Sequence, residues 1–201
     1  RGELLRDELQ RLLAQLGQLG RAALVGVVAA VDEVIAIAEQ GGVTGVVTHM
    51  KARGPASWGL SKTLVAHIEA ARARGVPVFA DQYPYEASGT GIVGALVPRW
   101  AQVGGREVLT RRITGELRGK VRDEVRANLA RRGGADTFLI SEYAPDTSIE
   151  GKRLSDLAKA AGLPPEEYAL TLLEKGDAGL VSFNMSEDDI APEDADVYVD
   201  E

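Results

Sequence analysis

The sequence predicts an α/β protein built from parallel βα units. Two short apolar runs, "VTGVVTH" at 43–49 and "VPVFADQYPY" at 76–85, are typical of buried strands. Between them, "LSKTLVAHIEAARARG" at 60–75 has the apolar spacing of a helix with Ser61 as its expected N-cap and a glycine at its end. Strand, helix and strand in this order indicate a parallel sheet. Two further strands are predicted, in "ADTFLIS" at 135–141 and "AGLVSFNM" at 178–185.

Helices account for most of the remaining chain. Leucine recurs with alternating spacings of four and three in the predicted helix at 3–19, which presents one apolar seam formed by Leu5, Leu9, Leu12, Leu16 and Leu19. Another helix is expected from residue 24 to the glycine pair Gly41 and Gly42, and two more at 152–162 and 164–176. We therefore expect a leucine-rich helix at 1–20, a βα-unit domain at 21–190 and an acidic tail at 191–201.

The segment 104–132 is arginine-rich and is expected to form one or two amphipathic helices that leave the βα units as an excursion. Apolar residues recur through it at helical spacing, so its charges are interpreted as solvated faces. A nucleic-acid interface is the alternative. The net charge of -7 and the pI near 5.0 argue against nucleic-acid binding, which normally needs a basic face.

Composition narrows the possible chemistry. The 201-residue chain contains no cysteine, which excludes disulfides, thiolate zinc sites and a cysteine nucleophile. No apolar run is as long as the ~18 residues of a membrane span, and no signal peptide is visible at the start. A cytoplasmic protein is the expectation.

His49 is the first candidate for a functional residue. It ends a predicted strand, where parallel βα folds place their functional groups, and neutral imidazole is a good zinc ligand. The alternative is a hydrogen-bonded histidine without a metal, because one histidine does not make a zinc site. The other histidine, His67, lies within a predicted helix and is expected to be structural.

The end of the next strand, "ADQYPYEASGTG" at 80–91, offers a carboxylate and two phenols. Asp81 is a candidate partner for a ligand, and Tyr83 or Tyr85 could donate to an anion or a carbonyl. The alternative is a turn, stiffened by Pro84 and given freedom by the small residues that follow.

Several stretches together resemble one enzyme family. They are "THMKARGPASWG", "EAARARGVPVFADQYPYEASGT", "LVPRW", "TFLISEYAPDTSIEGKRLSDLAKAAG" and "VSFNMSEDDI". Their order and spacing, from about Val31 to Ile190, resemble the N-acyl-D-amino-acid deacylases, or D-aminoacylases, of the amidohydrolase superfamily. The resemblance covers the centre of the chain and none of its ends.

This resemblance implies a partial (β/α) barrel and a metal-dependent hydrolase. In the family, zinc activates a water that attacks the amide of a small-molecule N-acyl-D-amino acid. His49 matches a zinc ligand of the family, in its His-x-Lys motif. Lys51 and Tyr83 match groups that hold the substrate's α-carboxylate, a task suited to an ammonium and a phenol. The segment 104–132 matches the family's helical excursion.

Some motifs of the family are missing. The chain has no early His-x-His pair and no bridging cysteine, and an upstream histidine of the family falls near Leu19. The family's Ser-Asp-Gly-like turn is replaced by "APEDADVYVDE", in which Asp200 is the candidate substitute for the aspartate. Two readings stay open: a deacylase present as a fragment or incomplete copy, and a non-catalytic truncated or artificial scaffold. Exposed sheet edges are expected to be covered by the leucine-rich helix or by a second copy of the chain.

Overall fold

A computed structural model describes residues 18–82 and 84–190 of the protein. Most of the predicted leucine-rich helix, Tyr83 and the acidic tail lie outside the described residues. Within the described ranges, no helix has the length and apolar character needed to cross a membrane.

The chain divides into two compact units, of which the first is discontinuous. Of the described residues, the first contains 18–82, 84–86 and 185–190, and the second is Ala87–Asn184. The helices and strands follow one another as α1 (Gln18–Gly41), β1 (Gly45–Val47), α2 (Ser61–Ala73), β2 (Val78–Ala80), β3 (Ala87–Gly91), α3 (Ile92–Leu96), α4 (Arg99–Gln102), α5 (Gly105–Thr114), α6 (Arg118–Arg131), β4 (Phe138–Glu142), α7 (Leu154–Ala160), α8 (Pro165–Lys175), β5 (Gly179–Phe183) and α9 (Glu187–Ile190).

The first unit confirms the predicted parallel βα arrangement. β1 and β2 pair in parallel, with Gly45 opposite Val78 and Val47 opposite Ala80, and α2 connects them. The helices α1 and α2 contribute most of the buried core, which consists of Val28, Val31, Ile35, Ala38, Met50, Ala52, Leu60, Leu64, Ile68, Ala71, Val76 and Val78. A Cβ built at Gly45 would lie 3.0 Å from the Cβ of Ala38, so the close packing of β1 on α1 favours a glycine there.

The second unit differs from the prediction of one parallel sheet. Its strands form an antiparallel sheet in the order β3-β5-β4, and only β1 and β2 are parallel among the described strands. The connection between β4 and β5 contains two helices, α7 and α8. Apolar runs do not specify the direction of a strand, which depends here on long-range pairs such as Phe138 with Ser182. The segment 87–91, interpreted above as part of a turn, is strand β3.

The arginine-rich segment forms two helices, α5 and α6, as expected. Their apolar side chains join the core of the second unit through Leu109, Ile113, Val121, Val125 and Leu129. Many of the arginines have protein partners. Arg118 pairs with Glu167 at 2.9 Å and with Glu174 at 2.6 Å, and Arg126 pairs with Glu166 at 2.7 Å. These carboxylates belong to α8, so the positive face of α6 is partly neutralised by a neighbouring helix.

Candidate functional site

The predicted site residues of the first unit lie where β1 and β2 end. Parallel strands have their carboxyl ends at the same edge of a sheet. β1 ends at Val47 and β2 at Ala80, so the segment 48–51 and the segment that begins at Asp81 leave the sheet at a common edge. His49 and Lys51 lie in the first segment. Tyr83 belongs to the second segment but lies outside the described residues.

Asp81 holds the turn that contains His49. The N–H of His49 donates to Oδ1 of Asp81 at 2.6 Å, and the N–H of Met50 donates to the carbonyl of Asp81 at 2.9 Å. In return, the N–H of Asp81 donates to the carbonyl of Val47 at 3.2 Å. Asp81 therefore fixes the backbone on either side of His49.

His49 adopts a backbone conformation that residues other than glycine rarely take. Its φ of 54° is positive, which is true of no other non-glycine residue in the described ranges. This conformation costs free energy, so it persists only where the surrounding structure holds the residue in place. Residues of this kind are concentrated at functional sites. The hydrogen bonds from Asp81 supply that constraint, and the His49 side chain is exposed at the sheet edge.

The loop that carries Lys51 is anchored on both sides. Lys51 is half-buried between Met50 and Ala52, which are both buried in the core of the first unit. The chain then turns at Gly54, with φ 86°, into a short 3-10 helix at Pro55–Ser57. A lysine held in this way has a limited range of positions at the end of β1.

Asp189 secures the same loop from a distant part of the chain. Its buried carboxylate accepts from the N–H of Gly59 at 2.8 Å and from the N–H of Ser61 at 3.0 Å. It thereby caps the first turn of α2, whose N-cap residue is Leu60 and not the expected Ser61, with which the helix begins. Asp189 shares "SEDDI" with two other acidic residues, and nothing in the sequence distinguishes it from them.

The segment after β2 is also tied to the segment 185–190. Gln82 donates through Nε2 to the carbonyls of Asp189 and Ile190, at 3.1 and 3.2 Å. The N–H of Met185 donates to the carbonyl of Glu86 at 3.2 Å. Sequence reasoning assigned no role to Gln82. Gln82 and Glu86, which lie on either side of Tyr83 in the sequence, are therefore both held by the segment 185–190.

His67 joins two helices rather than a site. Its Nδ1 lies 2.7 Å from Oδ1 of Asp32, and this hydrogen bond connects α2 to α1. The His67 side chain is 19% exposed. This contact is consistent with the structural role expected from its position within a helix.

The described residues do not form a complete metal site. Nowhere in residues 18–82 and 84–190 do three His, Cys, Asp or Glu side chains come together so that they could hold a metal ion. One oxygen of Asp81, the carboxylate nearest in the turn, already accepts from the backbone of His49. A zinc ion normally has three protein ligands and a water. His49 alone does not meet that requirement.

Comparison with known proteins identifies relatives over part of the chain. No protein-family model matches it. The N-acyl-D-glutamate deacylase of Alcaligenes xylosoxydans xylosoxydans is 42% identical over 88 residues, which represent 42% of this chain and 18% of that enzyme.

Solved structures extend the similarity. The N-acyl-D-glutamate deacylase of Bordetella bronchiseptica, complexed with zinc and a phosphonate mimic of the tetrahedral intermediate, matches with a TM-score of 0.58 and 30% identity. A D-aminoacylase described as defining a novel subset of amidohydrolases matches with a TM-score of 0.56 and 26% identity. Both matches cover 83% of this chain but 27% of the solved one. The chain therefore spans less than a third of the length of these relatives.

Proposed function

We infer that this chain, part of which is related to the N-acyl-D-amino-acid deacylases of the amidohydrolase superfamily, carries the central portion of such an enzyme. The reaction is zinc-dependent hydrolysis of the amide bond of a small-molecule N-acyl-D-amino acid. The observation that best supports this proposal is the common edge at which β1 and β2 end, with His49 and Lys51 after one strand and Asp81 after the other. In βα folds, this edge is where substrates bind.

In this proposal, His49 provides one zinc ligand, and Lys51 and Tyr83 bind the α-carboxylate of the substrate. The fixed turn at His49 and the anchored loop at Lys51 support the assignment, because a binding site needs its groups held in place. The remaining zinc ligands come from polypeptide outside the described residues. We propose that β1, α2 and β2 belong to a larger (β/α) barrel that this polypeptide completes.

A second candidate is a scaffold without catalysis. It retains the βα unit and the antiparallel sheet but has no complete metal site. The observation in its favour is the absence of any three-ligand group from the part of the chain that the structure describes. The two candidates differ in what the purified protein binds and hydrolyses.

Zinc content and turnover distinguish the two candidates. We expect elemental analysis of the protein, purified together with the polypeptide that supplies the remaining ligands, to find zinc near one equivalent, and this protein to hydrolyse N-acetyl-D-glutamate but not its L enantiomer. His49→Ala should lose both properties, whereas His67→Gln, which changes the other histidine, should keep them. A folded chain with neither zinc nor turnover would favour the scaffold.

For the scaffold candidate, in which no barrel is completed, we propose that a second copy of the chain covers the exposed face of the β1–β2 sheet. Val46 and Phe79 are directly opposite each other in the register and are 51% and 43% exposed. Parallel sheets are normally covered on both faces. Sedimentation analysis should therefore find a dimer, which Phe79→Lys weakens. A monomer would instead favour coverage by the leucine-rich segment of the same chain.

A further inference from the structure

The second unit contains a cleft that is separate from the residues discussed above. It has a volume of about 840 Å³ and lies between α6 and the connected helices α3 and α4. Its floor is apolar and consists of Ala95, Val97 and Pro98, which are all buried. Clefts that bind small molecules typically have volumes of ≈ 300–1,000 Å³ and an apolar lining with a few polar groups.

Hydrogen bonds hold the walls of the cleft in place. Gln102 donates through Nε2 to the carbonyls of Val93 and Val97, at 3.2 and 2.8 Å. Asn128, on α6, donates to the carbonyl of Leu96 at 2.7 Å. These bonds connect α4 and α6 to the two ends of α3. The cleft is therefore formed before any ligand binds.

Trp100 lies against one wall with its indole engaged. Its Nε1–H donates to Oε1 of Glu124 at 2.9 Å, and Nζ of Lys120 lies 4.5 Å from the centre of its ring. The hydrogen bond uses one oxygen of Glu124, which provides the one carboxylate among the lining residues. The indole adds apolar surface to the cleft, and the Lys120 ammonium lies over the face of its ring.

Arg99 and Arg131 give the cleft its charge. Both line it, both are exposed, and neither forms an ion pair with a carboxylate of residues 18–82 or 84–190. Arg131 donates to Oδ1 of Asn128. By contrast, Arg118 and Arg126, on the same helix as Arg131, are neutralised by glutamates of α8. The two guanidinium groups at the cleft thus keep donors for an anion.

We propose that this cleft binds a small organic carboxylate with an aromatic or branched apolar body. A guanidinium matches the geometry of a carboxylate and binds it through two parallel hydrogen bonds. The apolar floor and the Trp100 ring would cover the body of the ligand, which an inorganic anion lacks. This inference does not depend on zinc or on the proposed hydrolysis.

Fluorine NMR with para-trifluoromethylphenylacetate as the probe tests the proposal. We expect saturable binding to the full chain, and binding about tenfold weaker in the double variant Arg99→Gln/Arg131→Gln, because the charge-assisted hydrogen bonds are lost. The matched control is Arg111→Gln, which removes an exposed arginine of α5 that does not line the cleft and should leave binding unchanged. Circular dichroism would verify that each variant is folded.

Two further ligands define the chemistry of the site. The uncharged amide of the same probe should bind much more weakly, and inorganic phosphate should displace the probe less effectively than unlabelled phenylacetate. Equal binding of the amide would overturn the role of the arginines. Equal displacement by phosphate would overturn the role of the apolar floor. Absence of saturation, or unchanged binding in the double variant, would overturn the site itself.

Discussion

The N–H of His49 and the carboxylate of Asp81 are 2.6 Å apart, although 32 residues separate them in the chain. This hydrogen bond joins the second residue after β1 to the first residue after its parallel neighbour β2. It also stabilises a left-handed backbone at a residue with a side chain. The relationship indicates that the position of His49 depends on the strand beside it as well as on its own.

Asp81→Ala should therefore destabilise the first unit. We expect the free energy of unfolding to fall by about 1–2 kcal/mol, because the alanine leaves the His49 N–H without its acceptor. Asp81→Asn, which keeps an oxygen acceptor, should lose less. Urea denaturation measures both. His49→Gly is the complementary variant and should be neutral or stabilising, since glycine adopts a positive φ without strain. Equal stability of all variants would contradict the role of Asp81.

Asp189→Ala should have a larger effect than the same change at its neighbour. The Asp189 carboxylate is buried, with 3% of the residue exposed, and it accepts from two backbone N–H groups at the start of α2. Its removal leaves these donors unsatisfied, and we expect a loss of about 2–3 kcal/mol. Asp188→Ala, at an exposed position, removes the same charge and should change stability by less than about 0.5 kcal/mol. Similar losses would indicate a general charge effect.

Gly91→Ala tests the close contact at the end of β3. A Cβ at this position would lie 2.6 Å from Oδ2 of Asp177, whose Oδ1 accepts from the N–H of Val93 at 3.2 Å. We expect a loss of about 0.5–1.5 kcal/mol, because the exposed Asp177 carboxylate has to move aside and give up its hydrogen bond from Val93. Gly89→Ala, in the same strand, has open space around its Cβ and is the control. Thermal unfolding of the two variants should rank them in that order.

The pH dependence of stability should include a contribution from Asp146. The side-chain hydroxyl and backbone N–H of Ser148 both donate to its carboxylate, and they lower the pKa of Asp146 below its ordinary value. A carboxyl with a lowered pKa in the folded state stabilises the protein above the unfolded pKa, near 3.9, and loses this contribution as the pH falls through the folded value. Acid should therefore weaken the fold in this range.

Ser148→Ala provides the test of that contribution. It removes the hydroxyl donor, so the pKa of Asp146 should rise toward its ordinary value and the decline in stability below about pH 4 should become shallower. Carbon-detected NMR titration of the Asp146 carboxyl measures the pKa directly. A titration curve identical to that of the unaltered protein would exclude the Ser148 hydroxyl as the cause.

Local sequence patterns were sufficient for some elements. The β-branched runs around Val46 and Val78 predicted the two parallel strands, and Gly75 correctly marked the end of the helix between them. These features depend on residues that are close in sequence. The strand β3 was missed because "ASGTG" has the composition of a turn, and its pairing with β5 is a long-range property.

Long-range contacts also explain what was missed at the candidate site. The sequence indicated His49 and named Asp81 as a partner, but the left-handed turn that joins them depends on strand pairing. Ser61 was favoured as the cap of α2 from local preference, whereas a carboxylate more than a hundred residues later accepts its N–H. Hydrogen bonds of this kind leave no local periodic signal.

The second unit begins and ends at neighbouring points. Ala87 and Phe183 are paired across β3 and β5, so the chain enters and leaves this unit side by side. The flanking residues of the first unit, Glu86 and Met185, are themselves joined by a hydrogen bond of 3.2 Å. Domains with adjacent termini tolerate excision and transplantation. The second unit can accordingly be treated as an inserted domain. A short glycine linker could replace residues 87–184 in the first unit, and the second unit could be produced alone for ligand studies.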